Sequence, residues 1–211
     1  MVEIESILNS LKQRRPQIMN QEAYRRYGIL IPLVHVNSEI HVLFEVRSMK
    51  LRSQPGDICF PGGRLDSGDA SLKACAIRET EEEIGIHKNQ INHIISLDYI
   101  VSETRIIHPF AGELDSLDDI DINQSEVSEV FTVPLHFFLE NAPRVHKIYF
   151  NVEPEQNFPF DLIQNGKAYD WKTREMNELF YEYDNRVIWG LTARVMYHFI
   201  QIINQYSKGQ R

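Results

Sequence analysis

The chain has 211 residues, 43% hydrophobic and 25% charged, with 10 Gly and 9 Pro; this near-average composition excludes fibrous, collagenous and wholly disordered classes. Thirty acidic against 22 basic residues give a net charge of −8, which argues against the basic footprint of a nucleic-acid or anionic-membrane binder. An acidic protein acting on a phosphorylated substrate needs a cation to bring the two together.

Residues 3–13 place Ile4, Ile7, Leu8 and Leu11 at helical spacing, so an amphipathic helix is expected within an N-terminal helical extension, 1–26. Strand-like runs follow at 28–36 and 40–46, with Asn37-Ser38 as a hairpin turn. A polar, Gly- and Pro-rich stretch, 47–63, leads into a strongly helical segment at 70–84 that Gly85 stops. Further strand patterns lie at 91–101, 104–114 and 127–133, with an acidic loop at 115–121. Pro134-Leu135 starts a short helix whose buried face is Phe137-Phe138, and residues 145–152 and 158–163 pattern as a β pair. The last periodic segment, 187–203, is helical and belongs to a C-terminal helix of 186–206. The expected class is α+β, one domain over residues 1–211.

Cys59 and Cys75 form no disulfide framework and fit no common metal spacing, and are read as reduced thiols of a cytoplasmic protein. The N-terminus lacks the basic start and apolar stretch of a signal peptide, and the tail SKGQR is no recognised address. The longest apolar run, 27–34, is broken by Gly28 and Pro32 and falls short of the ~20 residues of a membrane span. The eight histidines are scattered without metal spacing. A soluble cytoplasmic protein with a small-molecule substrate, and no nucleic-acid or membrane partner, is the expectation.

Chemistry concentrates in residues 56–86. At ~100° per residue, Glu79, Glu82 and Glu83 fall within about 100° of one another on the 70–84 helix, while Glu81 points away. Ile77, Thr80 and Ile84 form the opposite stripe, expected to pack inward. Most such charge runs are solvated faces, but two features oppose that here. Glu79 and Glu83 are like charges at i,i+4, unfavourable by a few tenths of a kcal/mol. Acids also crowd the last turn, where the helix dipole favours Lys or Arg, and only Arg78 gives partial relief. A divalent cation would reverse that penalty, because carboxylate oxygens suit the hard ions Mg²⁺ and Mn²⁺. Ahead of the helix, Phe60-Pro61-Gly62-Gly63 makes a loop that can bring backbone close to a ligand and turn sharply.

Arg78-Glu79-Thr80-Glu81-Glu82-Glu83-Ile84-Gly85-Ile86 resembles the second half of the Nudix box, G-x5-E-x7-R-E-U-x-E-E-x-G-U with U aliphatic; Thr80 stands at an aliphatic position. In the first half, Gly63 to Arg78 is one residue longer than usual and Asp69 replaces the first Glu. Leu43-Phe44-Glu45-Val46-Arg47-Ser48, continuing through Arg52 and Gly56 to Phe60-Pro61-Gly62-Gly63, is similar to the signature L-L-T-x-R-[SA]-x3-R-x3-G-x3-F-P-G-G of the coenzyme A diphosphatase branch. Phe44 and Glu45 depart from its second Leu and its Thr. The longer box is also similar to that branch, and Ile188-Trp189-Gly190-Leu191-Thr192-Ala193-Arg194 resembles a further segment of it.

The resemblance implies a mixed β-sheet sandwiched between helices, with the box as loop–helix–loop. It implies divalent-metal-dependent hydrolysis of the diphosphate of coenzyme A or a thioester, giving 4′-phosphopantetheine and adenosine 3′,5′-bisphosphate. Another nucleoside diphosphate derivative (ADP-ribose, NADH, a nucleoside triphosphate) and a non-catalytic nucleotide sensor are the alternatives. Glu79, Glu82 and Glu83 would hold Mg²⁺ or Mn²⁺, and Arg78 would orient them. Glu126 is the candidate downstream carboxylate, ahead of Glu129, and the base stays open among Glu79, Glu82, Glu83 and Glu126. Arg47 and Arg52 are the candidate phosphate readers, since planar guanidinium groups bind phosphate bidentately. Gly62 and Gly63 would bring backbone beside the substrate. Trp189 and Arg194 are expected to pack against the sheet. Oligomeric state is not legible, though relatives in the family are often homodimers.

Overall fold

The structure, a computed structural model, describes residues 3–208 except 103; Met1, Val2, Glu103 and the last three residues of the 207–211 tail lie outside it. Helix α1 (Ile4–Leu11) has the expected pattern but buries none of its residues. Of the remaining described residues of the 1–26 extension, Gln21–Ala23 form a short 3₁₀ turn and Arg25-Arg26 already begin a strand, so the extension is mostly not helical. Strands β1 (Arg25–Val36) and β2 (Glu39–Arg47) form the expected hairpin, with Asn37 and Ser38 both at positive φ. Two short strands, β3 (Ile58–Cys59) and β4 (Gly62–Arg64), lie within and just after the polar stretch.

Helix α2 (Leu72–Ile84) carries the acidic face. Its start is fixed by the Ser71 hydroxyl, which accepts from the Ala74 N–H at 3.1 Å, and its end by Gly85, whose N–H donates to the Glu81 carbonyl. The 91–101 run divides into β5 (Ile91–Ser96) and β6 (Ile100–Val101), both paired with β7 (Arg105–Leu114). Strand β8 (Val127–Pro134) and helix α3 (Leu135–Glu140) follow as expected.

Two expectations fail beyond residue 143. Strand β9 (Arg144–Phe150) pairs not with 158–163 but with β10 (Arg174–Tyr183), for which the sequence pattern gives no signal. The polar run Asn177-Glu178 breaks the apolar alternation of β10. Residues 158–163 instead hold a 3₁₀ turn, Phe160–Leu162, in a loop where Phe158, Phe160, Tyr169 and Trp171 pack ring against ring at 4.9–5.7 Å. The C-terminal helix, α4, begins at Gly190 (Gly190–Lys208) rather than at 186. Residues 186–189 are β11 (Arg186–Trp189), drawn into a hairpin with β10 across a turn in which Asp184 and Asn185 both have positive φ.

The main sheet runs β3-β2-β1-β7-β5, with β4 on β1, β6 on β7 and β8 on β2. It is mixed, because β1 and β7 are parallel. Successive side chains leave opposite faces. Leu30, Val34 and Leu43 therefore meet Leu72, Ala76 and Ile84 of α2, while Ile31 and Phe44 meet Phe138, Met196 and Phe199 beneath α3 and α4. Each such burial stabilises by roughly 1.5–3 kcal/mol. The sheet is sandwiched between helices, as expected. One edge of β1 is shared between two partners: residues 33–36 pair with β2 and residues 27–29 with β4. Where the edge divides, the Leu30 N–H donates to the Pro61 carbonyl at 2.9 Å, which seats the Pro61-Gly62-Gly63 loop. No helix among the described residues is long and apolar enough to cross a membrane.

Candidate active site

The loop and α2 meet at two glycines. The Gly62 N–H donates to Glu83 Oε2 at 2.8 Å, and Gly62 has φ +151°, a conformation side chains rarely adopt. A Cβ at Gly63 would lie 2.2–2.5 Å from the Glu79 carboxyl atoms, so only glycine lets that carboxylate approach. Thr80 and Ile84 are fully buried, as the stripe predicts, but Glu83 is buried too, with 5% exposure. The acidic run is thus not one solvated face: Glu83 points inward, Glu79 is half-buried and Glu82 lies in the open.

Arg78 ties this group together. Its guanidinium donates to Glu79 Oε1 at 2.8 Å, Glu82 Oε2 at 2.8 Å, and both oxygens of Asp69 at 2.9 and 3.0 Å. Asp69 also accepts from the Asp66 N–H at 2.9 Å. The Arg78 hydrogen bonds, followed by the backbone bond, hold the Asp69 carboxyl down at about 2.

Glu45 is a site neighbour that sequence reasoning missed. It lies on β2, opposite Cys59 in the ladder, and is 1% exposed. Its Oε1 accepts from the Cys59 thiol at 3.1 Å, while its Oε2 is buried without a hydrogen-bond partner. Burial and then the charge of Glu45 push Glu83 well above the usual carboxylate range, with smaller contributions from Glu79 and Glu126. Burial likewise raises Glu45, with Glu126 and Glu79 adding to it against the lowering effects of Cys59 and Arg47. Burial also raises Glu79, which Arg78 partly offsets. Glu45, Glu79, Glu83 and Glu126 therefore form one electrostatic group. Glu129 does not join it; its carboxylate is held by Arg186 at 2.5 and 3.0 Å.

These carboxylates suit a divalent cation in chemistry: hard oxygens only, one of them buried with no partner. Among the described residues, no group of three or more His, Cys, Asp or Glu side chains is arranged as it stands to hold a metal ion. Their oxygens are engaged instead by Arg78, the Gly62 N–H and the Cys59 thiol.

A cleft of about 350 Å³ adjoins the group through Gly62 and Cys59. Arg47, Arg105 and Asp57 line it, together with Tyr27, Glu178 and Trp189. Of the two arginines expected to read phosphate, Arg47 faces this cleft, whereas Arg52 is exposed and does not line it. Trp189 both packs on Phe180, with ring centroids 5.9 Å apart, and walls the cleft. Arg194 stays with Glu178, at 3.6 Å.

A model of the NUDIX domain matches residues 25–154, more than half of the chain. The chain belongs to the Nudix family. It is accordingly a hydrolase of phosphoric anhydride bonds in nucleoside diphosphate derivatives. Among curated Nudix relatives, it is 38% identical over 188 residues to the peroxisomal coenzyme A diphosphatase NUDT7 of Mus musculus, spanning 86% of this chain and 72% of the mouse protein. It is 27% identical to Nudix hydrolase 3 of Caenorhabditis elegans, over 89% of this chain and 77% of that one. A solved NUDIX hydrolase from Alicyclobacillus acidocaldarius superposes with a TM-score of 0.47 at 16% identity, over 56% of this chain and 82% of that chain.

In Nudix terms, Asp69 occupies the place of the first box Glu and meets Arg78 despite its shorter side chain. The five residues between Gly63 and Asp69 keep the usual spacing, so the extra residue falls between Asp69 and Arg78. The signal for Glu45 was present in the sequence: an acid inside the apolar run Val42-Leu43-Phe44-Glu45-Val46, at a signature Thr.

Proposed function

We propose that this Nudix hydrolase cuts the diphosphate of coenzyme A or its thioesters, releasing 4′-phosphopantetheine and adenosine 3′,5′-bisphosphate. One observation carries the reading: Gly62, in the signature that contains Arg47, borders the cleft and bonds Glu83 of the box helix. Signature and box thus serve one site. The name of the mouse relative, a coenzyme A diphosphatase, supports the same substrate.

In this reading Glu79, Glu82 and Glu83 hold Mg²⁺ or Mn²⁺. A divalent cation there neutralises phosphate oxygens and lowers the pKa of a bound water. Arg78, fixed by Asp69, orients Glu79 and Glu82. Glu126 takes the proton of the attacking water. Arg47 holds a phosphate oxygen, and the Gly62-Gly63 backbone lets the diphosphate lie against the carboxylates. The water oxygen adds to one phosphorus, the bridging P–O bond breaks, and the leaving phosphate keeps the bridging oxygen. Attack at either phosphorus gives the same products.

The test incubates purified protein with coenzyme A, ADP-ribose, NADH and a nucleoside triphosphate, with and without Mn²⁺, and reads products by chromatography and mass. Metal-dependent release of 4′-phosphopantetheine, with the highest kcat/KM for coenzyme A, is the expected result. Preferred cleavage of another compound would keep the carboxylate site and discard the substrate. Metal-free binding without hydrolysis would favour a sensor.

A further inference from the structure

Arg105 is absent from every sequence motif, yet it faces the cleft. It opens β7 and lies over the Tyr27 ring, 5.8 Å from its centroid. In the parallel ladder Arg105 is the register partner of Arg25 at the start of β1. Tyr27 and Ile29 of β1, and Ile107 of β7, line the cleft. By strand alternation Arg25 and Arg105 lie on that same face, side by side. Like charges directly opposite on neighbouring strands are destabilising. Among the described residues, neither Arg25, Arg105 nor Arg47 across the cleft makes an ion pair. Of the two acids lining the same cleft, Glu178 has Arg194 at 3.6 Å, which leaves Asp57 as the counter-charge. In a protein of net charge −8, two guanidinium groups without ion-pair partners on one cleft, with Arg25 beside one of them in the ladder, make an anion site.

The diphosphate does not fill it. Gly63 pairs with Gly28 on β1, and Gly28 with His108 on β7, so the glycine loop and β7 are two strand spacings apart, about 10 Å. A diphosphate held at the carboxylates beside Gly63 is too short to cover that span. A second phosphate carried elsewhere on the nucleotide can.

We propose that Arg105, with Arg25 beside it and Arg47 across the cleft, binds a phosphomonoester of the substrate separate from the diphosphate that is cut. The ligand class is a nucleoside diphosphate derivative bearing an additional phosphate on its nucleoside. This rests on the coenzyme A reading above and names the group that selects the substrate.

The experiment compares coenzyme A with dephospho-coenzyme A, which differ only by the 3′-phosphate, in wild type, Arg105→Gln and Arg25→Gln. Wild type is expected to favour coenzyme A in kcat/KM, and Arg105→Gln to reduce that ratio about tenfold, through KM rather than kcat. Arg25→Gln reduces it less, and Arg105→Lys keeps part of it. An Arg105→Gln ratio equal to that of wild type overturns the proposal. If wild type cuts neither compound, the substrate reading has failed, and calorimetry decides the subsite alone. Adenosine 3′,5′-bisphosphate should then bind wild type more tightly than adenosine 5′-monophosphate does, with that preference lost in Arg105→Gln. Equal binding of both by wild type, or an unchanged preference in the variant, overturns it.

Discussion

Asp69 grips Arg78 at both Nε and Nη2, at 2.9 and 3.0 Å, while that one guanidinium also holds Glu79 and Glu82. The arginine is thus anchored from the loop and acts on the helix. Asp69→Asn should lower kcat by about 10–100-fold, the usual effect of removing a partner that orients ligands. The sign with pH is fixed. A carboxyl held near 2 contributes stability that is present above its ordinary value and lost as pH falls through about 2. Acid unfolding followed by circular dichroism should be less steep in that range for the variant. Unchanged kinetics would show that Arg78 needs no anchor.

Glu83→Gln separates chemistry from folding. The amide keeps an acceptor for the Gly62 N–H and removes a buried carboxyl whose charged form burial disfavours. Turnover should fall by at least ~10²-fold, while the metal-free unfolding midpoint stays level or rises. Full activity in this variant would dismiss the carboxylate site.

The crowded pair Glu45 and Glu83 predicts how metal-free protein responds to pH. Both hold protons more tightly folded than unfolded. Above about 4.5, their ordinary value, the unfolded chain releases protons first, so stability falls as pH rises towards the raised folded-state values. Thermal melts in chelator from pH 5 to 9 should show a falling midpoint, shallower in Glu45→Gln. A flat wild-type profile would mean that folding raises neither carboxyl.

Gly63→Ala introduces a methyl group where the Glu79 carboxyl sits, within 2.2–2.5 Å of its atoms. The Glu79 side chain can swing away, so the fold should survive. Moving that carboxylate by an ångström or so should lower kcat by ~10²-fold. Wild-type turnover would show that Glu79 is dispensable where it stands.

How much of this was legible depends on whether a residue's partners are near it in sequence. The box helix, its Gly85 stop, the β1–β2 hairpin and the acidic residues were readable because period, cap and turn are local signals. The β10 strand was not, because its polar half acquires strand character only from the ladder with β9. Residues 186–189 read as helix until β10 claims their backbone. In the site, Arg47 and Glu83 followed from motifs. Glu45, Arg105 and Glu178 come from three strands far apart in the chain, and only folding brings them together. Arg52 matches the signature by spacing, yet its exposed loop keeps it out of the cleft.

The divided edge of β1 has a consequence for how this enzyme can diversify. Everything on the box side of the divide, from the glycine loop to Glu126, comes before residue 130. The far wall of the cleft, with Glu178 and Trp189, is supplied by the separate three-stranded sheet and the start of α4. The carboxylate group and one wall of the cleft are therefore written on different stretches of the polypeptide. The second can drift, lengthen or be exchanged to admit a new nucleotide while the first stays fixed.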